Sequence, residues 1–252
     1  MTDNLDREAM IDAWARPPVA GVNLSPLVPL GLSDAMFEVW LQRTRRAHWQ
    51  QPRAAHMRKL MPRDGAGKRI LDYGCGFGMD ALEYIEAGYQ VTVADISPLS
   101  LAVTRRAANT IRRGALDNMI VIDPTADWQD ALVEAAPFDM IAMNGVLHHV
   151  TYPTDLLSFL SSRSRSFWFM VYTDKAWRDV TAGPMPDDPE SHPSFAKFSK
   201  AMDQNGQYAM AYSEDSFRRM IGEAIGDWAM NRMTWTPIDP DGWYAVAEVT
   251  RP

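Results

Sequence analysis

The sequence predicts an α/β fold built on a doubly wound sheet. Three observations carry this. Between residues 68 and 172, short apolar or β-branched runs alternate with segments of helical period. One of these, KRILDYGCGFGMD at residues 68–80, passes from a strand into alternating glycines and then into a helix. The chain ends on two further apolar runs, Ala229–Trp235 and Trp243–Val249, joined by the turn signal TPIDPDG.

The glycine stretch organises the rest. Ile70 and Leu71 lead into Asp72, followed by Gly74, Gly76 and Gly78. Glycine admits φ > 0 and lets the backbone approach a ligand with no Cβ in the way. Met79 to Ala87 has helical spacing, with Leu82 and Ile85 on the apolar side and Glu83 and Glu86 on the polar side. Such a turn lies at the carboxyl edge of an α/β sheet, where nucleotides bind. The spacing is G-x-G-x-G, not the G-x-G-x-x-G of dinucleotide sites. A carboxylate two residues ahead of the first glycine repels a pyrophosphate and can instead accept a hydrogen bond from an ammonium. Both features disfavour a dehydrogenase and favour a nucleoside with an amino-acid end. The stretch resembles the first motif of class I S-adenosylmethionine-dependent methyltransferases of the small-molecule type.

That resemblance implies a Rossmann-like seven-stranded sheet whose last strand is antiparallel. It also implies S-adenosylmethionine as cofactor and S-adenosylhomocysteine as product. Asp72, Gly74, Cys75, Gly76 and Gly78 then belong to the cofactor site. The resemblance covers residues 67 to about 172, and 213–252 by order of elements.

The composition sets bounds. With 252 residues, 46% apolar and 23% charged, the chain is an ordinary globular protein with room for one sizeable core. A formal charge of −7 argues against nucleic acid or an anionic membrane as the main partner. The single cysteine, Cys75, excludes an intrachain disulfide and points to a reducing compartment; in the glycine turn its small size serves packing. The N-terminus lacks an apolar signal region, and no run approaches a membrane span, so a cytoplasmic location is expected. The adjacent His148 and His149 have no third ligand nearby, and no metal is expected. A homodimer or a protein partner stays open.

Along the chain, residues 1–66 are expected to form a helical N-terminal cap ahead of a 67–252 cofactor-binding domain. Asp6–Ala15 reads as a short amphipathic helix, residues 19–32 as a proline-rich arm, and Asp34–Trp49 as a helix capped by Ser33. Between residues 43 and 63 there are seven Lys/Arg and no acid. That is either a solvated face or a patch for an anionic acceptor or the cofactor carboxylate, with His48, Trp49, Arg53 and His56 beside it. Gln90–Ile96 is a strand ending in Asp95, about 20 residues past the glycine turn, where an acid meets the ribose of a nucleotide. Asp95 and Ile96 are therefore assigned to the cofactor, the alternative for Asp95 being a charge at the start of the next helix. That helix opens at Ser97-Pro98 and runs to about Ala115; Met119–Ile122 is the next strand. In the following loop, Asp127 and Trp128 match the acid and flat ring that methyltransferases present to adenine, with Asp123 as competitor.

Phe138–Gly145 is the fourth strand and leads into VLHHV. The resemblance places Asn144 and Gly145 beside the methionine part of the cofactor and His148 and His149 at the start of the acceptor side. A histidine near neutral pKa can take a proton from an acceptor; the alternative is a histidine bonded to the loop backbone. Thr154–Ser164 is a helix and Ser166–Tyr172 a buried strand. Residues 175–212 are too long for a plain connection and are expected to cap the substrate. Ser213–Gly226 is a helix with a partial capping box. Trp14, Trp40, Trp49 and Trp177 are candidate pocket residues.

The activity these readings imply is methyl transfer from S-adenosylmethionine to a small biosynthetic acceptor, with an anionic group suggested by the basic stretch. One alternative is a methyltransferase fold repurposed for elimination, cyclisation or decarboxylation. Another is a non-catalytic subunit that binds the cofactor.

Overall fold

The computed structural model describes residues 18–19, 22–23, 27–122, 130–133, 135, 137–164, 166–202 and 208–250. Asp6–Ala15, Trp14, Asp123, Asp127 and Trp128 lie outside them. The chain divides into two compact units, Met1–Ala136 and Pro137–Pro252.

The first unit begins with β1 (Pro18–Val19) paired antiparallel to β2 (Val22–Asn23). Then come α1 (Leu27–Leu30), α2 (Asp34–Gln50) and α3 (Pro52–Leu60). Ser33 caps α2 as expected, its side chain accepting from Met36 N at 3.4 Å. Helix α3 was not foreseen; Pro52 sits at its first turn, where a missing N–H costs nothing. The core is a parallel sheet of β3 (Arg69–Tyr73), β4 (Gln90–Asp95) and β5 (Leu116–Val121), with β4 central. Crossovers run through α4 (Met79–Glu86) and α5 (Pro98–Ile111), and α6 (Asp130–Val133) closes the unit. Helix α5 ends before the expected Ala115, because Arg112 is already extended and Gly114 takes φ +70°. Strand β5 starts earlier than its apolar run, since it pairs with one neighbour only and tolerates exposed Asp117 and Asn118.

Two charged side chains tie this unit together. Glu83, expected on the polar side of α4, is buried at 1% exposure and receives Arg45 and Arg58 at 2.8 Å and Arg63 at 3.1 Å. Three of the seven cations in the basic stretch are thus structural. Arg106 on α5 donates to the carbonyls of Pro29 (2.8 Å) and Leu32 (2.7 Å) and stacks over Phe37 at 4.3 Å. It fastens the start of the helical segment to α5.

The second unit contains β6 (Met140–Asn144), a 3₁₀ turn at Leu147–His149, α7 (Pro153–Ser161) and β7 (Ser166–Thr173). Next are α8 (Asp174–Thr181), α9 (Phe195–Met202) and β8 (Ala211–Tyr212). The unit ends with α10 (Glu214–Ile225), α11 (Asp227–Arg232), β9 (Thr234–Pro237) and β10 (Tyr244–Thr250). Strand β7 pairs parallel with β6 and β8, while β10 runs antiparallel to both β7 and β9. The antiparallel end of the sheet is as expected. The run expected as a strand over Ala229–Trp235 is instead α11 followed by β9: Gly226 at φ +117° ends α10 and lets a new helix start at Asp227. Ser213 and Ser216 form a reciprocal capping box on α10, so serine at the third position suffices.

The segment after β7 has its own apolar centre. Trp177 is fully buried among Tyr172, Ala176, Phe198, Ala209 and Ala211, and its Nε1 donates to Pro184 O at 3.2 Å. This candidate pocket residue is a core residue.

Candidate active site

The glycine turn between β3 and α4 is held in a shape that side chains resist. Gly74, Gly76 and Gly78 take φ of +75°, +51° and +73°. A Cβ on Gly78 would lie 2.4 Å from Thr104 Cγ2, so glycine is required there twice over. At Gly76 a Cβ would meet nothing within 4 Å, so space is open on that side of the turn. Gly74 N and Cys75 N both donate to Ala94 O, at 2.7 and 3.1 Å, and Thr104 Oγ1 donates to Gly76 O at 2.9 Å. The turn is braced against the end of β4 and the face of α5.

Two carboxylates sit at this turn, each placed by a strand. Asp95, at the end of β4, accepts Gly76 N on Oδ2 and Ser97 N on Oδ1, both at 2.8 Å. Burial raises its pKa, and the N–H groups of Ser97, Gly76 and Ile96 oppose that rise. The expected helix-start contact at Ser97 is therefore real. A carboxylate has about four lone-pair positions, so two N–H donors leave room for ligand hydroxyls. Asp72, in β3, is 2% exposed, and its Oδ2 has no hydrogen-bond partner among the described residues. Burial pushes the Asp72 carboxyl well up, helped by the charges of Asp80 and Asp95. An unpartnered buried carboxylate oxygen among other acids is a receptor for a cation.

Burial, then the charges of Asp95 and Asp72, raise the Cys75 thiol well above its usual range, which disfavours a thiolate there. His48 Nε2 lies 3.8 Å from Asp80 Oδ1, and Arg58 stacks 5.2 Å over Trp49. The ring of Trp40 stands edge-on to Phe77 of the turn, 6.5 Å between centroids. Beside it lies a shallow depression of about 600 Å³, widely open to solvent, lined by Met36, Val39, Trp40 and Arg43 of α2.

The second unit places the other predicted residues. Asn144 ends β6, and Gly145 follows at φ +74° with its N–H on Met170 O at 3.0 Å. His148 is 1% exposed, and its ring lies 4.0 Å from that of Tyr172. His149 is half-buried, 4.4 Å from the His148 ring, and its Nδ1 is 2.7 Å from Tyr208 O. Tyr208 and Tyr212 were not singled out in sequence. Tyr208 donates its hydroxyl to Glu190, and Tyr212 is 5% exposed with no hydrogen-bond partner for its hydroxyl among the described residues. Burial, then the Glu190 charge, raises the Tyr212 pKa. No group of three or more metal-ligating side chains occurs among the described residues, and none of their helices is long and apolar enough to cross a membrane.

These features agree with known proteins. A ubiquinone biosynthesis O-methyltransferase of Nitrosococcus oceani is 36% identical over 95 residues, covering 37% of this chain and 37% of the relative. A malonyl-(acyl-carrier protein) O-methyltransferase of Pectobacterium atrosepticum is 29% identical over 170 residues, 63% of this chain and 55% of the relative. A tRNA 5-carboxymethoxyuridine methyltransferase of Escherichia coli is 34% identical over 94 residues, 37% of this chain and 35% of the relative. The ubiquinone-type matches span 34–37% of the relatives' own length. Among solved structures, magnesium protoporphyrin IX methyltransferase of Synechocystis PCC 6803, with S-adenosylmethionine bound, aligns over 100% of both chains at TM-score 0.53 and 16% identity. An O-methyltransferase family 2 protein of Planctomyces limnophilus, in complex with apigenin, aligns over 87% of this chain and 62% of its own at TM-score 0.55 and 16% identity. These structures establish the Rossmann-like fold, with its antiparallel end. The family model described as Methyltransferase domain matches residues 40–224. That span takes in the glycine turn, both strand-end carboxylates and the paired histidines, and the chain belongs to this methyltransferase-domain family.

Proposed function

We propose that this protein transfers a methyl group from S-adenosylmethionine to a small-molecule acceptor. The observation that carries the reading is Asp72: a buried carboxylate, one oxygen without a partner among the described residues, beside a left-handed glycine turn and one strand from Asp95. The donor set fits the cofactor. Asp72 would accept its ammonium, Asp95 its ribose hydroxyls, and the open side of Gly76 would admit its chain. Three acids near the turn, Asp72, Asp80 and Asp95, also favour a ligand carrying positive charge. When bound, the cofactor supplies a methyl group on a cationic sulfur, which leaves with the bonding pair. The protein's own part is to bind, orient and exclude water.

Asp127 and Trp128 for adenine, Asn144 and Gly145 for the methionine part, and His148 and His149 on the acceptor side belong to the same proposal. So does a capping role for residues 1–66 and 175–212. The relatives named for ubiquinone biosynthesis and the structure holding apigenin support a small, hydroxylated acceptor. A charge of −7 weighs against nucleic acid, although one group of relatives is named for tRNA. Three cations of the basic stretch serve Glu83, so an anionic acceptor would rest on others of the stretch, such as Arg43, Arg46 and Lys59. A cytoplasmic location fits the single cysteine.

Isothermal titration with S-adenosylmethionine and S-adenosylhomocysteine tests this. Micromolar binding of both is expected. Failure to bind either would overturn the reading.

A further inference from the structure

The last turn of α2 carries two nitrogen atoms that are buried and have no hydrogen-bond partner among the described residues, His48 Nε2 and Trp49 Nε1. An indole N–H can only donate, and a buried donor without an acceptor is destabilising. The two rings touch edge to face, 4.4 Å between centroids.

Both rings are held in place. Arg58 lies over Trp49 at 5.2 Å and is itself fixed to Glu83 at 2.8 Å. Arg45, one turn before His48, reaches Glu83 at 2.8 Å and Glu86 at 2.9 Å. These ties lay the end of α2 along α4. His48 Nε2 then comes to the first turn of α4, 3.8 Å from Asp80 Oδ1, which is beyond hydrogen-bond length. Asp72 meets the same turn: it accepts the backbone N–H of Ala81 and feels the charge of Asp80. The cation receptor Asp72 and the pair His48–Trp49 therefore both stand at the start of α4, within the first unit.

The amino-acid end of S-adenosylmethionine is a zwitterion. Its ammonium suits Asp72. Its carboxylate meets three acids around the turn, Asp72, Asp80 and Asp95, and needs N–H donors beside them. Arg45, Arg58 and Arg63 are committed to Glu83. Resting on the methyl-transfer reading above, we infer that His48 Nε2 and Trp49 Nε1 hold the carboxylate of the cofactor, one donor to each oxygen. The protein then selects its ligand by both charges of the amino-acid end, and the end of α2 is a wall of the cofactor site.

Calorimetric titration with two ligands tests this without any acceptor. One is S-adenosylmethionine. The other is decarboxylated S-adenosylmethionine, which keeps the ammonium, ribose and adenine and lacks the carboxylate. The parent protein is expected to bind the first at least tenfold more tightly. His48→Ala should weaken S-adenosylmethionine about 10–100-fold, the scale of a hydrogen bond to a charged group, and leave affinity for the decarboxylated ligand unchanged. Trp49→Phe keeps a ring under Arg58 and removes only the N–H; it should show the same selectivity, with a loss of about three- to tenfold. His48→Gln retains a side-chain N–H and should recover part of the loss. Equal affinity of the parent for the two ligands, equal losses for both ligands in the variants, or unchanged affinity for S-adenosylmethionine in either His48→Ala or Trp49→Phe would each overturn the inference, leaving these rings as partners of Asp80 and Arg58 only. Failure of the parent to bind either ligand would instead remove the reading on which the inference rests.

Discussion

Asp95 accepts the backbone N–H of Gly76 across 2.8 Å, so the carboxylate assigned to the ribose also holds the middle glycine of the turn. Its other oxygen accepts Ser97 N, which starts α5. The side chain proposed for the ribose therefore also secures the local fold.

Asp95→Ala should accordingly do two things. Affinity for S-adenosylmethionine should fall by about 1.5–3 kcal/mol, the scale of hydrogen bonds to a charged group. The melting temperature should fall as well, because Gly76 and Ser97 lose their acceptor. Calorimetric titration and thermal unfolding on one preparation check both; unchanged affinity in a folded variant would remove the ribose assignment.

Asp72→Asn should separate stability from binding. The Asp72 carboxyl is raised above its unfolded value, so the folded state binds its proton more tightly than the unfolded chain does. Stability is then fully present below the unfolded value of 3.8 and declines as pH rises toward the raised folded value. At pH 7 the asparagine variant should melt higher than the parent without ligand and bind the cofactor at least tenfold more weakly. A variant that melts lower and binds normally would contradict the cation-receptor role.

Glu83 titrates in the opposite sense. Burial pushes its carboxyl up, but hydrogen bonds from Arg58, Arg45 and Arg63 outweigh that, and the net direction is down. The stability it contributes is present above the ordinary value of 4.5 and is lost as pH falls through the depressed one. Glu83→Gln should cost about 2–3 kcal/mol at pH 7, below the full range for buried pairs because the arginines are part-exposed. The cost should shrink below pH 4, as denaturant titrations at the two pH values would show.

Gly78→Ala and Gly76→Ala should differ. Both sit at positive φ, costing about 1–2 kcal/mol for a residue with a Cβ. Only Gly78 adds a 2.4 Å clash with Thr104. Gly78→Ala should be the less stable of the two by denaturant midpoint, and Thr104→Ser, which removes the clashing methyl, should recover part of the difference. Equal midpoints would show that Thr104 yields without cost.

Much of this was readable in advance where the signal is local. The runs around β3, β4 and β7 are apolar because each strand is buried on both faces, and glycine at 74, 76 and 78 marks backbone that other residues resist. The serine caps of α2, α5 and α10 announce those helices within three residues of their starts. Helix α11 was misread because Ala229, Met230 and Met233 suit a strand as well as a short helix, and Gly226 alone decides where the chain turns.

The sequence by itself determined the fold class, the glycine turn and the two acids at its strand ends, because those depend on backbone geometry and on spacing along one chain. Tertiary structure decided the rest. It buried Glu83 under arginines 20 to 38 residues away, which turned part of an apparent surface charge run into an ion cluster around a buried carboxylate. It set Tyr208 on His149 across 59 residues, which distinguishes two neighbouring histidines that the sequence leaves equivalent. Such contacts depend on which segments folding brings together, not on spacing along one chain.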